Sequence, residues 1–319
     1  MAREFIDGFE SDSLTLWVST GGSLDTASTY GMDGSYCAIL QSTINYKVVT
    51  ARDAYYMSFL MRSATSGCNV AVNIGNGTTV LGRVHFTTTA GIKAYRDDGV
   101  TLLDTGDTIL NINTTYLIEA YYLPKTDGTG SFIVKVNGVE EINYTGQTSN
   151  SALQIDRVTI VVPANSCYLD NFILDSSDWI GRTKIQAIVP TGAGTTTQYD
   201  PSTGSNYACV DELPYSDTDY ISTNTPDEID TYATGNMTGD VGSVKCVQLQ
   251  ARTKYEGSSA VTKLDLAVRS GGTNYFSADK TLTTSYTTES NLWETNPNTS
   301  TAWTETTVNA MEIGVKAKA

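Results

Sequence analysis

Histidine is nearly absent from this 319-residue chain, which holds one imidazole, and prolines number only seven. A lone His85 leaves one candidate for the general base of a nucleophilic triad and too few nitrogens for a clustered zinc site. No GxSxG elbow accompanies it, and no Cys sits in a catalytic signature. If Leu81–Thr87 is a strand, Val84 and Phe86 share one face while Arg83, His85 and Thr87 share the other, so His85 is expected on a solvated surface. The five cysteines, Cys37, Cys68, Cys167, Cys209 and Cys246, are odd in number, widely spaced and never in a CxxC pair. Free thiols packed as small hydrophobes, without a disulfide, are therefore expected. Apolar runs never approach the ~20 residues of a membrane span. The opening Met1–Asp7 lacks a basic segment followed by an apolar one, so neither membrane insertion nor a secretory signal is expected. Charge is also scarce, at 17% of residues, against about a quarter in ordinary globular proteins. What charge there is sums to −15, which disfavours nucleic acid and anionic membrane as partners because both select for Lys and Arg.

Thr, Ser, Gly, Asn and 19 tyrosines fill much of what remains, a mixture that favours strands and turns over helices. The clearest hairpin runs Phe132–Val136, Asn137-Gly138, Val139–Tyr144, because Asn-Gly accepts the positive φ angles of a type I′ turn. Tyr116–Leu123 joins it through Lys125–Gly130 to make a meander. Further strands are expected at Ala54–Arg62, Asn69–Ile74, Leu81–Thr88, Gly91–Arg96, Asp156–Val162 and Tyr168–Leu174. The texture changes after Trp179, with a short strand expected at Ile185–Val189 and a Gly/Thr loop at Pro190–Thr197. Apolar alternation resumes at Val244–Gln250, Lys263–Arg269, Thr281–Thr288 and Ala310–Lys316. Such spacing without βαβ alternation predicts an all-β protein of two β-sandwich or jelly-roll domains in tandem, residues 1–179 and 180–319. Neither heptads nor a repeat of fixed period supports a fibre shaft or a β-helix.

Chemistry is hard to find along the chain. A retaining glycosidase needs two carboxyl groups about 5–5.5 Å apart, which alternate acidic residues on one strand deliver, and nothing in residues 1–179 has that pattern. Glu140 and Glu141 are adjacent and point to opposite faces, while Glu119 stands alone among Tyr and Leu. Gly192-Ala193-Gly194 lacks the Lys-Ser/Thr of a P-loop. The acidic stretch Asp211–Tyr220, with Asp227, Glu228 and Asp230, has the oxygen donors that Ca²⁺ takes but no EF-hand spacing, and reads as solvated loop. Tyr55-Tyr56 and Tyr121-Tyr122 offer ring faces to a sugar, but adjacent strand residues diverge, so one of each pair is expected in the core. The sequons at Asn113, Asn143 and Asn298 carry no weight without a secretory route. No catalytic, cofactor-binding or metal-binding residue is assigned.

Two regions resemble known families. Phe5–Ser11, the Thr115–Ile142 hairpin and Tyr168–Asp175 resemble the laminin-G/concanavalin A-like jelly roll found in phage virion proteins, in which the first strand closes against the last. Pro190–Thr195, Tyr207–Glu212, Asp219–Ser222, Asp230–Tyr232, Val268–Tyr275, Trp293–Pro297, Ala302–Thr304 and Asn309–Lys316 resemble a C-terminal module of structural proteins in tailed bacteriophages. The resemblance implies a non-enzymatic structural or accessory protein of the virion: a capsid decoration, collar or tail component made in the host cytoplasm. Other virion proteins of the capsid, neck or tail are the implied partners, a homo-oligomer is expected, and a host-surface glycan is a further partner if the jelly roll serves adhesion. In that arrangement residues 180–319, with Trp293, Trp303 and Met311–Val315, anchor the chain to the particle. The alternative is a carbohydrate-binding module or lectin, and behind it a glycoside hydrolase of concanavalin-like fold.

Overall fold

The computed structural model describes residues 3–11, 13–19, 32–33 and 36–319; Met1 and Ala2 of the opening segment lie outside the described residues. Of those described, 52% are strand and 3% helix, as the composition predicts. The chain divides into two compact units between Ile185 and Gln186.

The first unit begins with β1 (Arg3–Asp7), β2 (Val18–Ser19), β3 (Ala38–Arg52), β4 (Tyr55–Ser63), β5 (Asn69–Asn76) and β6 (Thr79–Thr87). It continues with β7 (Gly91–Arg96), β8 (Leu102–Gly106), β9 (Thr115–Leu123), β10 (Gly130–Val136), β11 (Val139–Gly146) and β12 (Ile155–Asp175). The 21-residue β12 organises the unit. Its first half, around Arg157–Val161, lies between β3 and β5, and its second half, Cys167–Asp175, lies between β4 and the strands β3 and β1. One layer therefore runs β11-β10-β9-β4-β12 and the other β12-β5-β6-β7-β8, antiparallel throughout. The change of layer falls where the β3 register shifts between Val162 and Ser166, at Asn165 (φ +67°) opposite Ser42 (φ +50°). Such bends are how a strand turns the corner of a sandwich.

Between the layers the apolar positions interlock. Phe59 on β4 meets Phe86 on β6 edge-on at 6.1 Å between ring centroids, and the Tyr122 hydroxyl on β9 donates to the Leu81 carbonyl on β6. The hairpin shows how the sequence dictates this. Phe132, Val134 and Val136 are buried while Ile133 and Lys135 are not, and Asn137 and Gly138 take φ of +51° and +81°. β1 closes the unit by pairing with the end of β12, Phe5 opposite Leu174 and Asp7 opposite Phe172. The first strand thus closes against the last, as the first resemblance implies for a jelly roll.

Three expectations change. Asp156–Val162 and Tyr168–Leu174 are one continuous strand, because the bend at Asn165 keeps the pairing with β3 on both sides. The 15-residue β3 had no counterpart in the sequence reading. Residues 185–189 form no strand; the second unit's first strand starts at Pro190, inside the segment expected to be a loop.

The second unit contains β13 (Pro190–Ala193), β14 (Asp200–Pro201), β15 (Ile221–Ser222), β16 (Ile229–Thr234), β17 (Val247–Thr253) and β18 (Lys263–Ser270). After them come β19 (Thr273–Phe276), β20 (Lys280–Thr281), β21 (Thr287–Trp293), β22 (Thr295–Asn296), β23 (Thr301–Ala302), helix α1 (Glu305–Asn309) and β24 (Glu312–Lys318). Thr281–Thr288, read as one strand, is split between β20 and β21. A sheet ordered β13-β16-β24-β18-β19 packs against the β17–β21 ribbon through Leu249, Leu264, Leu266 and Trp293. Trp303 is buried with Val268, Val308 and Met311, and its indole N–H donates to the Trp293 carbonyl at 2.9 Å. Trp303 and Met311 thus serve this unit's own core.

Candidate functional site

The jelly roll has two outer faces, and among the described residues of this unit one of them is crossed by the segment after Trp179. On the β4-β9-β10 layer Tyr56 and Tyr121 stand opposite each other, 4.5 Å between ring centroids, and the Trp179 ring packs 5.3 Å from Tyr56. The Lys135 ammonium sits 3.6 Å from the Trp179 ring centroid. Gly181 donates its N–H to Glu119 at 2.9 Å and accepts from the Ser58 hydroxyl at 3.3 Å, and the Ile185 N–H donates to the Asn171 side chain at 2.8 Å. Residues 179–185 therefore lie across this face and use its aromatic rings and its Glu119 for packing. Tyr55 and Tyr122 point into the core, as expected of adjacent strand residues.

On the other layer, strand register builds a polar row. Tyr46 on β3 stands opposite Thr159 on β12, Thr159 opposite Asn73 on β5, Asn73 opposite Arg83 on β6, and Arg83 opposite Tyr95 on β7. Their neighbours Asn45, Val158, Val72, Val84 and Ala94 are buried, which turns the row outward. Strands lie about 4.8 Å apart, so the row spans roughly 19 Å. An adjacent row carries His85, opposite Lys93, and on the other side of the first lies Arg157, whose guanidinium carbon is 4.0 Å from the Tyr46 ring centroid. His85 and Tyr95 are in ring contact at 5.1 Å. A groove of about 300 Å³ opens here, lined among others by Tyr46, Asn73, Arg157 and Thr159.

The side chains are half-buried, and several of their polar atoms lack partners: Oδ1 of Asn69 and Asn73, Nε of Arg83 and Arg157, and Nε2 of His85. His85 is thus not the fully solvated residue expected from its strand position. Burial first, then the charges of Arg83 and Lys93, hold its pKa below the ordinary imidazole value. Local motifs missed this face because each strand contributes one or two residues. The detectable signal was the polar half of each alternating strand.

The remaining candidates scatter. Glu141 accepts from the Thr108 amide at 2.9 Å and its hydroxyl at 2.6 Å, tying down the chain after β8, while Glu140 is exposed. In the acidic stretch Asp217 pairs with Arg252, Asp227 with Lys316 at 2.8 Å, and buried Asp230 accepts from Asn206 and Tyr232. Among the described residues no three His, Cys, Asp or Glu side chains are grouped to hold a metal ion.

No protein-family model matches the chain, and no curated protein does. Solved structures do. Cellulose induced protein Cip1 matches at TM-score 0.45 and 18% identity over 56% of this chain and 100% of that one. Endo-beta-1,4-glucuronan lyase from the fungus Trichoderma reesei matches at 0.41 and 11% over 55% and 96%. A sialidase matches at 0.41 and 13% over 55% of this chain, which spans only 19% of the sialidase. Two of these three are enzymes by name, and the expectation of a non-enzymatic chain is corrected on that finding. A search along the sequence sees only adjacent groups, whereas this fold gathers Asn73, Arg83, His85, Tyr95 and Arg157 from four strands. The likeness assigns no reaction to this chain.

Proposed function

We propose that the jelly-roll unit binds a carbohydrate along the row from Tyr46 to Tyr95. The observation that carries this reading is the outward row of Tyr46, Thr159, Asn73, Arg83 and Tyr95, polar side chains aligned between two tyrosine rings beside a groove of about 300 Å³. A sugar has an apolar ring face that stacks on tyrosine and hydroxyls that pair with amide and guanidinium groups. The row supplies both, over a length suited to several linked rings.

The test is isothermal titration of the full chain against a panel of neutral and acidic polysaccharides, repeated with the Tyr46→Ala/Tyr95→Ala double variant. Binding should weaken at least about tenfold, or ~1.4 kcal/mol, with the thermal midpoint little changed. Failure to bind any polysaccharide, or binding that survives the loss of both rings, refutes the reading. A place on a tailed-phage particle is a separate proposal. It is supported by the sequence segments from Pro190 onward, and mass spectrometry of purified virions tests it.

A further inference from the structure

The chemistry of the ligand follows from charge. In a chain of net charge −15, this one face carries Arg83, Lys93 and Arg157 around His85. The outward positions of β5, β6 and β7 carry no Asp or Glu, and the one carboxylate in the first half of β12, Asp156, accepts from the Gly77 N–H at 2.7 Å. Among the described residues, the salt bridges engage other cations: Arg3, Arg52, Arg96, Arg182, Arg252, Lys254, Lys263, Arg269 and Lys316. Three cations on one face, none of them in a salt bridge among the described residues, leave that face locally positive in an acidic chain, and an anion is attracted to it. The guanidinium of Arg157 is braced against Tyr46, and that of Arg83 lies against Gly99, where a Cβ would come within 2.8 Å of it. Both forks are therefore held in place for bidentate recognition of a planar oxyanion.

Resting on the carbohydrate reading above, we infer that the ligand is an anionic polysaccharide whose repeated carboxylate or sulfate groups pair with Arg157, Arg83 and Lys93. Arg157 and Arg83 stand two strands and one row apart, roughly 12 Å, which calls for acidic groups repeated along a chain rather than one charged monosaccharide. Nucleic acid fits less well, because three cations neutralise few phosphates and the rest of the chain repels a polyanion.

Matched pairs of polymers test the inference on the full chain: polygalacturonate against its methyl ester, carboxymethyl cellulose against hydroxyethyl cellulose, and dextran sulfate against dextran. At low salt the acidic member of at least one pair should bind about tenfold or more tightly, and that margin should shrink as ionic strength rises. The first two pairs report carboxylate and the third sulfate. Arg83→Gln and Arg157→Gln should each reduce the acidic-to-neutral ratio severalfold while leaving the thermal midpoint in place. Equal affinity for both members of every pair overturns this inference but leaves the carbohydrate reading standing. No binding to either member of any pair removes both. Tighter capture of single-stranded DNA, abolished by the same arginine variants, overturns the saccharide assignment.

Discussion

Asp7 gives the most quantitative prediction. Its carboxylate ends β1 inside the aromatic core, accepting from the Phe9 N–H and the Trp17 indole N–H, each at 2.8 Å. Burial outweighs these two donors and the charge of Lys47, and raises its pKa from 3.8 to about 6. A carboxyl whose folded-state pKa lies above its unfolded value stabilises the fold while protonated. That contribution is complete below about pH 4 and is lost as pH rises through about 6. The rise of about 2 units corresponds to about 3 kcal/mol. Asp7→Asn keeps a neutral side chain of the same shape and so abolishes the loss. Urea unfolding of both proteins from pH 4 to 7.5 should show the wild type losing up to about 3 kcal/mol relative to the variant. Buried Asp170, pushed up to about 7, titrates in both and cancels in the difference. A gap between the two proteins that stays constant across that range, or moves towards the wild type at pH 7.5, refutes the reasoning.

Phe172 is fully buried, with ring centroids 5.0 Å from Trp17 and 5.5 Å from Phe59, so Phe172→Ala should cost about 3–5 kcal/mol in urea unfolding; a loss under about 1 kcal/mol contradicts this packing. A chain ending at residue 185 should melt above one ending at 179, which lacks the Gly181 and Ile185 hydrogen bonds to Glu119, Ser58 and Asn171, at roughly 0.5–1.5 kcal/mol each. Equal melting temperatures would show that the segment after Trp179 does not hold that face.

Elements with strong alternation and matched turn chemistry were legible in the sequence. Phe132–Tyr144 reads directly as a hairpin because period-2 burial and Asn137-Gly138 agree, and Gly91–Arg96 matches its strand residue for residue. β3 was illegible because Gln41, Ser42, Thr43, Asn45 and Lys47 blur its apolar pattern, and its outer face leaves Ile44 and Val48 exposed. Its strand state comes from pairing with β12, a tertiary cause. The composition changes near residue 180, but composition does not show that Trp179 packs on Tyr56 or that Ile185 bonds to Asn171. The polar face was half visible. Arg83 and His85 could be placed on the outer side of one strand, whereas their alignment with Asn73, Tyr95 and Arg157 depends on registers among four strands that no local signal encodes.

The length of β12 also governs when the first unit can form. Apart from the short pairing of Val18 and Ser19 with Tyr46 and Asn45, residues 38–52 find their strand partners at 155–169, and Arg3–Asp7 find theirs at 172–175. On the ribosome, β4 to β11 therefore emerge with the central strand of both layers still missing, and the edges of β4 and β5 stay unpaired until the last tenth or so of the unit is made. At ~5–20 residues per second, that exposure lasts about 4–20 s. Nascent-chain pairing errors and chaperone capture are confined to this interval, and substitutions within β12 change the yield of folded protein more than equally buried substitutions in the early hairpins.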